Sequence, residues 1–291
     1  MYRTLVEIEN VCLERNIDYA DAIILAEVSD SGCEGHDCRR KMTEMWNAME
    51  SSAANYDGAL VSRSGLVGGD GEKMSRYTDE GRCMAGDLIG KVIATALKLG
   101  ESNACMKRIV AAPTAGSCGV LPAVLVPYST EVPEADMTKA LFTAAGIGSV
   151  IAENASISGA EGGCQAEIGS AAAMAAGALV YLRGGSPAQI NAAAGIALQN
   201  LMGLVCDPVA GLVEVPCVKR NVIGAMDAVS AAEMAMAGIV PRIPPDEIIT
   251  AMKEVGDDMS RNLKETGIGG LAGTPCGQEI KRSLKLNSMK S

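Results

Sequence analysis

The chain of 291 residues carries a formal net charge of -10 and a sequence pI near 4.8, so it has no surplus of Lys and Arg to displace counterions from phosphate, and nucleic acid is not an expected partner. Apolar residues make up 48% and aromatics only 3%, which leaves Ala, Leu, Ile, Val and Met to fill the core. The longest apolar run, 171–182, is shorter than the ~20 residues that span a bilayer, and it is expected as a buried helix rather than a membrane segment.

The opening MYRTLVEIENVCLERN carries Glu7, Glu9 and Glu14 and no apolar leader pattern, which points to a cytoplasmic protein. The chain is expected to form one domain over 1–291, with a helical lead segment over 1–60. In that segment Leu5, Ile8 and Cys12, then Ala22, Leu25 and Val28, recur at helical spacing and predict surface helices. Trp46 and Met49 close it. Ten cysteines in such a chain favour reduced thiols, metal ligation or catalysis over a disulfide framework. Cys33, His36 and Cys38 in CEGHDC have a compact spacing that could trap a metal, but the reading given more weight is a solvated polar loop.

The glycine-rich stretch at 62–70 predicts a loop, and 87–99 is again helical in period. The GLVGGDGEKMS string at 65–75 fails as a phosphate loop, because Glu72 separates Gly71 from Lys73 and no strand precedes it. Beyond Lys107, Ala-rich helical windows at 137–152, 169–182, 188–204 and 221–239 alternate with loops of Gly, Ser, Thr, Asn and Pro. These loops, within 107–280, carry the polar chemistry: APTAGSCGVLP at 112–122, NASISGAEGGCQAE at 154–167, CDPVAGLVEVPCVKRN at 206–221 and TGIGGLAGTPCG at 266–277. Runs of β-branched residues are few. An all-α fold is the expectation.

Cys164 follows two glycines and opens a helical window, while Cys217 follows Pro216, a residue suited to a helix start. Two positive helix ends would then meet at two sulfurs, which favours thiolates and anionic centres. Cys206 is the natural third ligand, expected at the end of the preceding helix because Pro208 stops continuation. Three protein ligands would leave one iron of a four-iron cluster open to substrate. Spacing alone also allows three buried structural cysteines, since free Cys often packs as a small hydrophobe.

The strings SGLVGGDG, PTAGSCGVLPAVL, NASISGAEGGCQAEIGSA, NLMGLVCDPVAGLVEVPCVKRN and GGLAGTPCG occur here in one order. Together they closely resemble the α chain of the two-chain bacterial iron-sulfur L-serine dehydratases. The resemblance implies an all-helical catalytic chain that holds a 4Fe-4S cluster through Cys164, Cys206 and Cys217 and deaminates L-serine to pyruvate and ammonia without pyridoxal phosphate. It also implies a separate β chain completing the active site; without that chain the apolar area left exposed around the loops would favour self-association, so a homodimer is the alternative assembly. Cys118 and Cys276 lie inside matching loops but are read as packing residues. In single-chain relatives a C-terminal cysteine can cap the open iron, whereas this sequence ends in SLKLNSMKS.

Within that frame Thr114, Gly116 and Ser117 are expected around the substrate carboxylate, where small residues let backbone N–H groups approach an anion. Asn154, Ser158 and Glu161 are expected in the same cavity, with Arg220 and Asn221 one turn from Cys217 to orient substrate or sulfur. The base for the α-proton is left open among Glu161, Glu167 and Lys219, Lys219 being the least convincing. An L-cysteine desulfidase and a non-catalytic iron-sulfur sensor remain alternatives on the sequence.

Overall fold

The structure is a computed structural model and describes residues 1–288; the last three residues of the SLKLNSMKS terminus lie outside it. Helices run in chain order as α1 (Leu5–Arg15), α2 (Tyr19–Ser31), α3 (Gly35–Ala54), α4 (Asp70–Asp79), α5 (Gly86–Ala104), α6 (Val120–Leu125) and α7 (Glu134–Asn154). They continue as α8 (Gly159–Gly162), α9 (Ser170–Leu182), α10 (Pro187–Asn200), α11 (Cys217–Met236), α12 (Pro245–Asp258) and α13 (Pro275–Ser288). Among the described residues the sole β contact is an isolated bridge between Cys206 and Lys264. The fold is all-α, as the sequence pattern predicts.

Local chemistry sets several helix starts. Thr4 accepts from the Glu7 N–H while Glu7 reaches back to the cap backbone, and Ser186 and Gln189 repeat the arrangement ahead of α10 with Pro187 in its first turn. At the centre lies α9, whose sequence SAAAMAAGALVYL is buried from Ser170 to Val180. It packs against α6, α7, α10 and α11. Small side chains permit that crowding: a Cβ on Gly177 would run into Ile147 of α7, so the low aromatic content becomes close helix packing.

The lead segment packs on this core through one face of each helix. Leu5, Ile8, Cys12, Tyr19, Ile23, Ile24, Trp46 and Met49 are buried. Leu25, expected on the apolar face, is instead exposed, because Ile23 and Ile24 take the inward positions of α2. The CEGHDC hexapeptide is also corrected. Rather than a loop of reduced thiols, it forms the α2–α3 turn and the first turn of α3, which brings Cys33 and Cys38 together in a disulfide. His36 stays exposed beside Glu34 and Asp37.

The 62–70 loop takes the expected non-helical path, and two buried carboxylates from other segments fasten it. Glu101 of α5 accepts from Asp70 N–H at 2.8 Å, Gly71 N–H at 3.2 Å and Tyr56 Oη at 2.5 Å. Glu214 accepts from the hydroxyls of Ser62 and Ser64. Since Glu214 lies between Cys206 and Cys217, this loop braces the cysteine-bearing segment. No helix among the described residues is long and apolar enough to cross a membrane.

A candidate cysteine-centred active site

Three chain segments deliver the sulfurs. Cys164 stands at the head of the helix that continues into α9, but its first turn, Gln165–Gly169, is a π turn rather than regular α-helix. Cys217 is the first residue of α11, behind Pro216. Cys206 departs from the expectation of a helix end. With α10 finished at Asn200 and Gly203 turning the chain in the left-handed region, Cys206 is extended. Its N–H donates to Leu263 O at 2.8 Å, and its carbonyl accepts from Glu265 N–H at 2.7 Å.

All three cysteines are buried. The sulfurs of Cys164 and Cys206 and a carboxylate oxygen of Glu167 lie within 4.8 Å of one another, with Cys217 close enough to interact electrostatically with Cys164 and Cys206. A hydrogen bond from Cys206 holds the Cys164 thiol below its ordinary range, and the charge of Arg220 adds to that effect. The same hydrogen bond and burial push Cys206 strongly up. Burial and the neighbouring Cys164 charge push Cys217 up to about 12. Buried sulfurs from separate segments, one of them with its proton affinity lowered, form a donor set suited to a centre that accepts sulfur.

Glu167 lies on the π turn, three residues after Cys164, so the two side chains share a face. Burial raises its pKa, against the lowering effect of a hydrogen bond from Thr114. Thr114 Oγ1 donates to Glu167 Oε1 at 2.9 Å. Two glycines make room for the carboxylate: a Cβ on Gly116 would stand 3.2 Å from Glu167 Oε1, and one on Gly159 would stand 2.7 Å from Oε2 and 3.0 Å from the Cys206 sulfur.

The remaining sequence-predicted residues divide. Asn221 is buried and ties the TAGSCG loop to α11, accepting from Gly119 N–H at 2.8 Å and donating to Gly116 O at 2.9 Å and Cys217 O at 3.0 Å. Arg220 donates to Val205 O and to Asp207 Oδ1, each at 2.7 Å. Ser117 is fully buried with its hydroxyl turned into its own loop, towards Ala112 O and Thr114. Ser158 stands at the N-cap position of α8, next to Gly159, without a side-chain capping bond. Asn154 points elsewhere, donating to Arg3 O at 2.7 Å and fastening the N-terminus to α7. Glu161 is exposed on the outer side of α8, accepting from Ser156 Oγ at 2.7 Å.

Lys219 is exposed and sits 3.7 Å from Asp70. Cys118 is buried, as a packing residue should be, but Cys276 is exposed on the first turn of α13 and does not pack. Asp207 was missed. Its signal was present in the sequence, as an acid wedged between Cys206 and Pro208, where only a compensated charge could be buried.

The family model described as serine dehydratase alpha chain matches residues 7–272. The chain belongs to the serine dehydratase alpha chain family. It is 45% identical over 286 residues to the probable L-serine dehydratase alpha chain of Bacillus subtilis (strain 168), covering 98% of this chain and 95% of that one. It is 43% identical over 288 residues to the L-serine dehydratase alpha chain of Peptoniphilus asaccharolyticus, covering 98% of each. The match to the L-serine dehydratase of Streptomyces coelicolor is 39% over 270 residues, 89% of this chain but 58% of that longer protein. The family resemblance read from the loop strings is thereby confirmed.

Proposed function

We propose that this chain is the catalytic chain of an L-serine ammonia-lyase that converts L-serine to pyruvate and ammonia, with Cys164, Cys206 and Cys217 as ligands of a 4Fe-4S cluster. The observation that carries the reading is the meeting of buried Cys164 and Cys206 with Glu167, their ligand atoms within 4.8 Å of one another and buried Cys217 near enough to act on both sulfurs electrostatically, in a chain whose relatives are named L-serine dehydratases. The residues fit such a group. Soft thiolates are its usual ligands, and Gly159 leaves beside the Cys206 sulfur the space that a Cβ would fill. When bound, the cluster would supply a Lewis acid for the substrate hydroxyl oxygen.

The protein side of the chemistry falls to Glu167. Of the three candidate bases it alone lies beside the cysteines, and burial raises its proton affinity, which suits a general base. Thr114 Oγ1 fixes one of its oxygens, leaving the other free for the α-proton. Removal of that proton with loss of the β-hydroxyl gives 2-aminoacrylate and water; tautomerisation to the imine and addition of water then give pyruvate and ammonia. Backbone N–H groups of residues 115–117, in the loop braced by Asn221, are the donors for the substrate carboxylate. A β chain covers the site. Exposed Ile268 and Leu271 on the adjoining loop support that docking, as does the alpha-chain naming of the relatives.

The test is anaerobic reconstitution of the chain with iron and sulfide, followed by pyruvate assay from L-serine with and without the β chain. The expected result is pyruvate formation that requires both iron and the partner and is indifferent to pyridoxal phosphate. Turnover in the iron-free protein would overturn the cluster assignment.

A further inference from the structure

Asp207 reaches from the cysteine pocket to the C-terminal turn. One carboxylate oxygen accepts from Arg220 Nη2 at 2.7 Å and the other from the Leu271 N–H at 2.7 Å. The residue is 3% exposed, so both bonds are made in a setting where an unpaired charge would be costly. Arg220 Nη1 is spent on Val205 O at 2.7 Å, and the guanidinium charge lies close enough to act on the Cys164 sulfur. With both terminal nitrogens of the fork committed to main chain and carboxylate, a bidentate grip on a substrate carboxylate is disfavoured. Gly270 completes the arrangement: its φ is +59°, and a Cβ there would run into the Asp207 carboxylate.

We propose that Asp207 is a positioning residue that holds Arg220 against the Cys164 sulfur and fastens the Gly270–Gly273 turn to the site, so that Arg220 serves the sulfur ligand and not the substrate. The inference deepens the cluster reading, which its iron measurement rests on. The coupling of Asp207 to the turn can be read without iron.

Both partners of Asp207 are donors, so the Asp207→Asn amide keeps its single oxygen on the charged Arg220 and turns its NH2 towards the Leu271 N–H, which loses its acceptor while Arg220 loses its countercharge. In the iron-free chain the Leu271 amide should then exchange with deuterium at least tenfold faster, while amides in the middle of α9 stay within twofold. After anaerobic reconstitution, iron should pass to a ferrous chelator about 10- to 100-fold faster, the usual scale for loss of a residue supporting a metal ligand. Gly270→Ala displaces the carboxylate without touching its charge and should reproduce both effects if the Asp207→Asn chain does not fold.

Arg220→Lys should speed iron release equally yet leave Leu271 protected, because the Asp207 bond to that amide survives. A wild-type chain that takes up no iron would refute the cluster reading, and Leu271 exchange would still decide whether Asp207 holds the turn. The proposal is overturned if Asp207→Asn leaves Leu271 exchange or iron release within twofold of wild type. It is equally overturned if Arg220→Lys raises KM for L-serine with iron release unchanged.

Discussion

Two cysteine pairs in this chain bring sulfur against sulfur, and they differ in everything around the sulfur. Cys33 and Cys38 lie at the rim of the lead helices beside exposed His36, and they are closed into a disulfide. Cys164 and Cys206 lie under α8, between the head of the α9 helix and the Arg220 guanidinium, and stay free. The first pair has the tighter spacing and a histidine, which on sequence made it the more compact metal motif. The second pair comes from distant segments and is the one with the Glu167 carboxylate within 4.8 Å of both sulfurs and the charge of Arg220 acting on Cys164. Sulfur chemistry here follows burial and neighbours, not proximity in sequence.

The sharpest way to break that comparison is to remove sulfurs from both regions. Cys164→Ser, Cys206→Ser and Cys217→Ser should each abolish serine turnover and leave little reconstituted iron, because a neutral hydroxyl is a poor iron ligand. Cys33→Ser and Cys38→Ser should retain iron and activity. Iron and sulfide analysis after anaerobic reconstitution reads both sets. Iron content preserved in any of the first three would remove that cysteine from the ligand set.

A second contrast lies within one segment. Glu161 and Glu167 were equal candidates on sequence, yet α8 turns Glu161 outwards while the π turn carries Glu167 inwards. Glu167→Gln should lower kcat about 100- to 10,000-fold, the range for loss of a general base, with iron content unchanged. Glu161→Gln should stay within threefold of wild type. Loss of iron along with activity in Glu167→Gln would recast that residue as a ligand.

The helices and the loops that interrupt them were legible because 3.6-residue periodicity and Gly, Pro and Asn breaks are local signals. The loops that carry Cys164, Cys206, Cys217 and residues 114–117 were legible through their strings. Three features were not accessible in the same way. The extended course of Cys206 depends on its pairing with Lys264, far along the chain. The outward turn of Glu161 depends on a four-residue helix too short to show a period. Asn154 reads as part of a polar loop but closes α7 onto Arg3, a tertiary contact that composition does not encode.

Stability offers a smaller contrast along α11. At its start, Asn221 satisfies three backbone groups with one side chain. Asn221→Ala leaves the buried Gly119 N–H without its acceptor and should lower unfolding free energy by about 2–4 kcal/mol, at about 1–3 kcal/mol for an unpaired buried group plus the lost bonds. Urea denaturation of the iron-free chain measures it. A loss below 1 kcal/mol would mean that the 114–119 loop is held mainly by other contacts.

Two turns further along, Asp227 is the opposite case. Asn200 Nδ2 donates to one of its oxygens at 2.8 Å, but the other is buried without a partner. Burial pushes its pKa up to about 6, from 3.8. The folded chain therefore holds this proton more tightly than the unfolded chain does. The stability it contributes is complete below about pH 4 and is lost as pH rises through about 6. Asp227→Asn cannot ionise and keeps the oxygen that Asn200 reaches, so the variant should gain on wild type as pH rises. A shift of about two units corresponds to at most ~3 kcal/mol, and partial exposure of the side chain reduces the expected gain between pH 5 and pH 8 to about 1 kcal/mol. Urea midpoints of both iron-free chains at the two pH values supply the measurement. A difference between the chains that stays constant from pH 5 to pH 8 would mean that Asp227 is not held protonated by its burial, and that the unpaired oxygen is solvated in the native protein.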